Sequence, residues 1–233
     1  KTLTSLQRAS INFDKLKQAF SSGEIKNKSV LKNFRPRRDG FLDLPVYSLT
    51  KTLTGRMTIV SGPQILTAPK FIRNYLKSSF SDGNIVQVDF VSLEPRVAIQ
   101  SQGESLAEDV YEHIREKVFS KKVSRRTVKK LVLCAIYGAS EATLKKDIPE
   151  GFSISKAVSQ TKEILNFDKI VSEQKLNYRN KRKIYNFFGR PITPQDSRDS
   201  LLYNNYVQST SVDVSLKGFG QIIDRLKSDC RPL

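Results

Sequence analysis

Apolar residues recur at helical spacing through most of this chain and alternate at strand spacing in only a few short places. The segment SLQRASINFDKLKQAF (5–20) reads as an amphipathic helix ended by SSGE, with a basic, Pro-containing linker after it. In LDLPVYSLTKTLTGRM (42–57) apolar and β-branched residues alternate, which predicts strands broken by a turn at Thr54-Gly55. GNIVQVDF (83–90) is a turn followed by a short apolar run with Val86 and Val88 in step, and it predicts a buried strand that delivers Asp89 at its end. Helical patterns then take over, at about 104–119, 124–137, 153–166 and 170–181, and an apolar face persists through most of 207–227. The class this predicts is α+β, with few strands and many helices.

Composition adds a partner to that outline. The chain has 233 residues, 38% of them apolar, enough for one large domain or two small ones with a real core. Its 40 Lys and Arg against 23 Asp and Glu leave a net charge of +17, concentrated in KNKSVLKNFRPRR (26–38), KKVSRRTVKK (121–130) and KLNYRNKRK (175–183). Solubility alone does not require so much charge of one sign. Basic clusters interleaved with Asn and Tyr suit phosphates and bases, so nucleic acid is favoured over an anionic membrane surface. Cys134 and Cys230 are too far apart in sequence for a zinc or redox pair, which points to a reducing compartment. No apolar run of about 18 residues and no basic-then-apolar opening is visible, so the expectation is a soluble, cytoplasmic protein without a membrane partner. The first residue is Lys, as in a processed, trimmed or internally started chain.

The stretch RRTVKKLVLCAIYG (125–138) places Arg125, Lys129, Leu133 and Tyr137 at steps of four. On an α-helix these form one slowly winding ridge. Cations near the helix N-terminus add to its positive dipole and make an anion site that suits a triphosphate. Leu133 and Tyr137 offer surface for a base, and Gly138 leaves room for a close approach. The plainer reading is an amphipathic helix with a basic start and Leu131, Leu133 and Ile136 in its core, and spacing does not choose between the two. In VQVDFVSLEPR (86–96) an Asp at a strand end is well placed to hold Mg²⁺, although such an Asp is commonly only a turn or helix cap. Arg56 follows the glycine in TLTGRM (52–57), and Gln208 and Thr210 stand near the start of a helical pattern in NNYVQSTSVDV (204–214).

These motifs occur in an informative order: Thr-x-Thr-Gly-Arg, the strand with Asp89, Glu94 and Arg96, the Arg-x-x-x-Lys helix ending Tyr-Gly, Phe-Gly-Arg (188–190), then Val-Gln-x-Thr-x-x-Asp. From about residue 45 to 227 the set resembles the family A DNA polymerases, the DNA polymerase I type. The resemblance implies an incomplete right hand, with a small antiparallel palm sheet and helical fingers. Its parts would be 1–50 as a partial thumb leading to the palm, 51–119 as palm, 120–195 as fingers, and 196–233 as a helix returning to the palm. It implies a template-directed DNA polymerase acting on primer-template DNA and deoxynucleoside triphosphates with two Mg²⁺ ions. Asp89 matches the metal-binding aspartate and Glu94 the steric gate against a ribose 2′-hydroxyl. Arg125 and Lys129 match the triphosphate-binding pair, with Lys129 also at the transferring phosphates, and Tyr137 matches the tyrosine near the templating base. Arg56 and Gln208 match readers of the minor groove at the primer terminus, and Arg96, Gly138 and Arg190 fall in motifs that face DNA.

Departures from the family are informative as well. Leu133 stands where Phe or Tyr is usual, and Tyr111 stands where a histidine contacts the triphosphate. His113 is the single histidine and is expected to pack or face solvent. SGPQILTAP (61–69) keeps two prolines of the family's turn region but loses most of its Asn and Gln. The second metal carboxylate, in a strand-turn-strand with His-Asp-Glu, is missing before the chain stops at KSDCRPL, and neither Asp224 nor Asp229 is assigned to that role. The expectation is one piece of a split or truncated, phage-like enzyme whose other polypeptide carries that motif. The alternatives are a catalytically inactive nucleic-acid-binding module and an RNA-synthesising relative, the latter disfavoured by Glu94 and Arg96.

Overall fold

The computed structural model describes residues 6–25, 28–78, 80, 82–105, 107–120, 122–138, 142, 144–149 and 151–226. Asp229 and Cys230 lie outside them. The chain is α+β: among the described residues the strands make three separate two-stranded antiparallel sheets, and helices supply the rest of the framework. It divides into two compact units, residues 1–89 with 216–233, and residues 90–215.

In the first unit β1 (Ser10–Ile11) pairs antiparallel with β4 (Leu76–Lys77) beside helices α1 (Phe13–Ser21) and α2 (Lys28–Asn33). The expected helix over 5–20 therefore starts late. Asn12 caps α1 by accepting from the Lys15 amide at 3.2 Å, while Ser10 and Ile11 take strand partners instead. Leu16, Phe34, Leu42 and Ile72 are buried at the centre of this unit. Of the strands expected in 42–57, β2 (Val46–Ser48) forms inside that stretch; its antiparallel partner β3 (Thr58–Ser61) lies just beyond it, across a turn in which Gly55 takes a φ of 77°.

Residues 83–90 correct the expectation of a buried strand. They have no strand partner among the described residues, and Val86 and Val88 are 77% and 52% exposed. The physical reason is that strand geometry satisfies a backbone only through a neighbour; without one the segment is irregular and open to water.

In the second unit, α3 (Leu93–Gln100), α4 (Val110–Phe119), α5 (Arg125–Tyr137), α6 (Ile154–Ile164) and α7 (Phe167–Lys181) surround one core. Helix α4 begins six residues later than the pattern from 104 suggests, because Asp109 caps it, accepting from the Tyr111 and Glu112 amides at 2.9 and 3.2 Å. Helix α5 matches its pattern: Ser124 is the N-cap, Val128, Leu131, Val132, Ala135 and Ile136 are buried, and Gly138 ends it in the left-handed region. After α7 comes a hairpin, β5 (Ile184–Tyr185) and β6 (Pro191–Ile192). Helix α8 (Asp199–Leu226) begins eight residues before the pattern at 207, and its residues up to Ser215 belong to this unit. Its Tyr203 is fully buried, packs its ring 4.6 Å from Phe167 and donates to the Leu165 carbonyl at 2.7 Å. Burial, and behind it the Glu94 charge, pushes the Tyr203 phenol far above its ordinary pKa.

Candidate active site

The ridge on α5 is the outward face of a helix whose other face is core. Arg125, Lys129, Leu133 and Tyr137 are all exposed, whereas the residues beside them in sequence, Val128, Val132 and Ile136, are buried. Leu133 thus lies outside the core in which the plainer reading put it.

Two contacts fix the ends of the ridge. At the C-terminal end the Tyr137 hydroxyl donates to the Glu94 carboxylate, 2.9 and 2.8 Å from its two oxygens. Glu94 sits in the first turn of α3, where the helix dipole favours a negative charge. Those residues are 43 apart in sequence, so no local pattern signals the pair. At the N-terminal end the Arg125 Nε donates to Asp109 Oδ2 at 3.2 Å, and its guanidinium lies 4.9 Å from the centre of the Tyr111 ring. Burial alone would raise the Asp109 carboxyl. Arg125 and the amides of Glu112 and Tyr111 outweigh that and hold it below the usual carboxylate range. Tyr111 itself is buried, which raises its phenol.

The remaining candidates divide by what they touch. Arg96 donates from Nε to the Val91 carbonyl at 3.0 Å and from Nη2 to the Glu108 carbonyl, so it braces the backbone on both sides of α3. Gly138 has a φ of 70°, and a Cβ there would lie 2.9 Å from that of Ser200; the room it leaves is filled from α8. Arg190 is paired with Asp213, a carboxylate whose side chain is only 12% exposed. Gln208 is half-buried on α8. In the first unit, Arg56 is exposed after its turn, where its carbonyl accepts from the Thr52 hydroxyl at 2.9 Å. Asp89 is exposed at the end of the unpaired segment. His113 lies half-buried on α4 and lines a cavity together with Ile99, Val110 and Ile164.

Sequence reasoning missed the hub that holds the β5–β6 hairpin. Asn186 Nδ2 donates to Asp213 at 2.6 Å and to Ser209 Oγ at 3.2 Å, while its Oδ1 accepts from the Phe188 and Arg190 amides at 3.0 and 2.9 Å. The only local signal is an Asn three residues before a Gly.

Asp89 offers a hard oxygen ligand of the kind Mg²⁺ takes, and such ions commonly use one or two carboxylates with water and substrate phosphates. Among the described residues no group of three His, Cys, Asp or Glu comes together. The donor set therefore fits one protein ligand, not a complete two-ion site.

No protein-family model and no curated protein matches the sequence. Among solved structures the fold is similar to the polymerase domain of Pol1 from M. smegmatis, solved in complex with DNA primer-template and dNTP, with a TM-score of 0.55 and 17% identity over 91% of this chain. The chain spans 42% of that structure's length. The likeness is one of fold. Among the described residues no helix is long and apolar enough to cross a membrane.

Proposed function

We propose that this chain is the nucleotide-gripping part of a family A DNA polymerase, which joins a deoxynucleotide to a primer 3′-hydroxyl under the direction of a template. The observation that carries the reading is the exposed ridge of α5 with Tyr137 tied to Glu94. The fold likeness to a DNA polymerase domain supports it.

In this reading Arg125 and Lys129 hold the triphosphate, their charge favouring the spread of negative charge as the α–β phosphate bond breaks and pyrophosphate leaves. The primer 3′-oxygen forms the new bond to the α-phosphorus and its proton passes to solvent. Leu133 and Tyr137 pack against sugar and base. Glu94, kept in place by the Tyr137 hydroxyl, occupies the space of a 2′-hydroxyl and so favours deoxynucleotides. Tyr111 keeps the guanidinium of Arg125 over its ring when no nucleotide is bound. Arg56 and Gln208 contact the primer-template duplex, while Arg96, Gly138 and Arg190 serve the site through the backbone, helix end and hairpin they hold.

Asp89 is the metal-ligating residue of this chain; Mg²⁺, when bound, would supply positive charge at the phosphates and acidity at the 3′-hydroxyl. A second polypeptide or segment supplies the other carboxylate, on a strand that pairs with residues 83–90. The open backbone and exposed valines of that segment support this arrangement.

Primer extension tests the proposal, using the chain with whatever co-purifies from its source, Mg²⁺ and the four deoxynucleotides. Templated incorporation that falls by about a thousandfold or more in Asp89→Ala is expected, the loss of several kcal/mol of charge stabilisation. Incorporation indifferent to that change, or equal use of ribonucleotides, overturns it. The exposed setting of Asp89 favours one second reading, a module that binds nucleotide and DNA without transferring. Nucleotide binding lost in Lys129→Ala with no incorporation under any condition would select it.

A further inference from the structure

We infer that the end of α7 and the β5–β6 hairpin form a binding site for single-stranded nucleic acid, made of residues other than those of the α5 ridge. Phe187 and Phe188 are its stacking platform, and Arg179, Lys181, Arg182 and Lys183 hold the phosphates.

The tip of the hairpin turns two phenylalanines outward. Phe187 is 58% and Phe188 40% exposed, with ring centres 5.3 Å apart and planes at 88°. They are not left out by a loose loop. The Phe187 amide donates to Thr210 Oγ1 at 3.1 Å, the Phe188 amide to Asn186 Oδ1 at 3.0 Å, and the Gly189 amide to the Asn186 carbonyl at 2.9 Å. Asn186 is in turn anchored on Ser209 and Asp213 of α8. A backbone fixed at this many points presents the larger part of the Phe187 ring and a smaller part of the Phe188 ring to water at a cost in hydrophobic free energy, which a ligand with flat apolar faces would recover.

The charge beside the rings chooses the ligand. No Asp or Glu occurs between Glu173 and Asp196. Within that stretch Lys175 and Arg190 are neutralised by Asp199 and Asp213. Arg179, Lys181, Arg182 and Lys183 are exposed and in no ion pair among the described residues. Lys181 and Arg182 lie over the rings of Tyr185 and Tyr178, at 5.3 and 5.6 Å, which orients them without removing their charge. Cations in no ion pair among the described residues, in the segment that leads directly into two exposed rings, suit a chain of phosphates whose bases are free to stack. A duplex keeps its base faces to itself and would use the cations alone.

Fluorescence anisotropy of a labelled oligothymidylate with the full chain tests the assignment. Phe187→Ala with Phe188→Ala is expected to weaken binding about tenfold or more, and Phe187→Leu with Phe188→Leu to weaken it too, since apolar surface alone does not replace a ring. Lys181→Ala with Lys183→Ala should weaken binding and flatten the slope of log affinity against log salt by about 1.4. Far-ultraviolet circular dichroism of all variants should match the parent, because the altered side chains are exposed. Affinity within about twofold of the parent in the double alanine variant overturns the assignment, as does tighter binding to phosphatidylserine vesicles than to the oligonucleotide. The result is separable from the polymerase proposal: Asp89→Ala should leave oligonucleotide affinity intact whether or not it abolishes nucleotide incorporation.

Discussion

Helix α5 and the segment 83–90 are both rich in β-branched and apolar residues, and they end in opposite states. The helix closes its backbone within itself, from the Ser124 cap to the left-handed Gly138, and needs neighbours only to cover one face. The segment has nothing among the described residues to pair with, and holds Val86 and Val88 in water. A helix is a local object that tertiary packing stabilises, whereas a strand is one side of a contract with a chain segment elsewhere. Apolar content therefore decides burial for α5 and decides nothing for 83–90, which has no strand to pair with among the described residues.

Four measurements would break or sharpen that contrast. Leu131 is fully buried on the inner face of α5, so Leu131→Ala should cost about 3 kcal/mol, read from urea unfolding. Loss of less than about 1 kcal/mol would mean the helix is not held by its core. Ser124→Ala removes the oxygen that accepts from the Thr127 amide at 3.2 Å and should cost about 1 kcal/mol in the same assay.

A smaller effect should appear in acid. Burial works against ionised Asp109, but Arg125 and two backbone amides prevail and hold its folded pKa below the unfolded value. Its contribution is thus fully present above the unfolded pKa of about 4 and is lost as pH falls through the folded value. The pair is partly exposed, so the contribution is under about 1 kcal/mol, and Asp109→Asn should flatten the acid limb of stability against pH by that amount. The smallest effect belongs to the open segment: Val86→Lys should change unfolding free energy by less than about 0.5 kcal/mol in this chain alone. A larger loss would show that Val86 is already covered.

What could be read from sequence follows the same division between local and distant. The α5 helix and the row at 125, 129, 133 and 137 are legible because every signal lies within 124–138, whereas which side of the helix faces outward is not. The turn at Gly55 was legible for the same reason. The bond between Tyr137 and Glu94, the brace from Arg96 to two carbonyls and the filling of the space beside Gly138 by Ser200 were not, since each joins distant segments or depends on a rotamer. Helix boundaries moved where a polar side chain intervened: Asn12 delays α1 and Asp109 delays α4, although both residues stood in the sequence as recognisable caps.

Asn186 illustrates how little freedom a small amide can have. Both of its N–H groups and both lone pairs of its oxygen are committed, which is the full capacity of the side chain. It ties the turn between the two-residue strands to α8 through one side chain. Asp, its nearest isostere, would bring no donors and would set a second carboxylate against Asp213; Gln would overreach by a methylene. An amide does not ionise, so Asn186 itself adds no titratable group to the tip; the charge there belongs to its partner Asp213 and to Arg190.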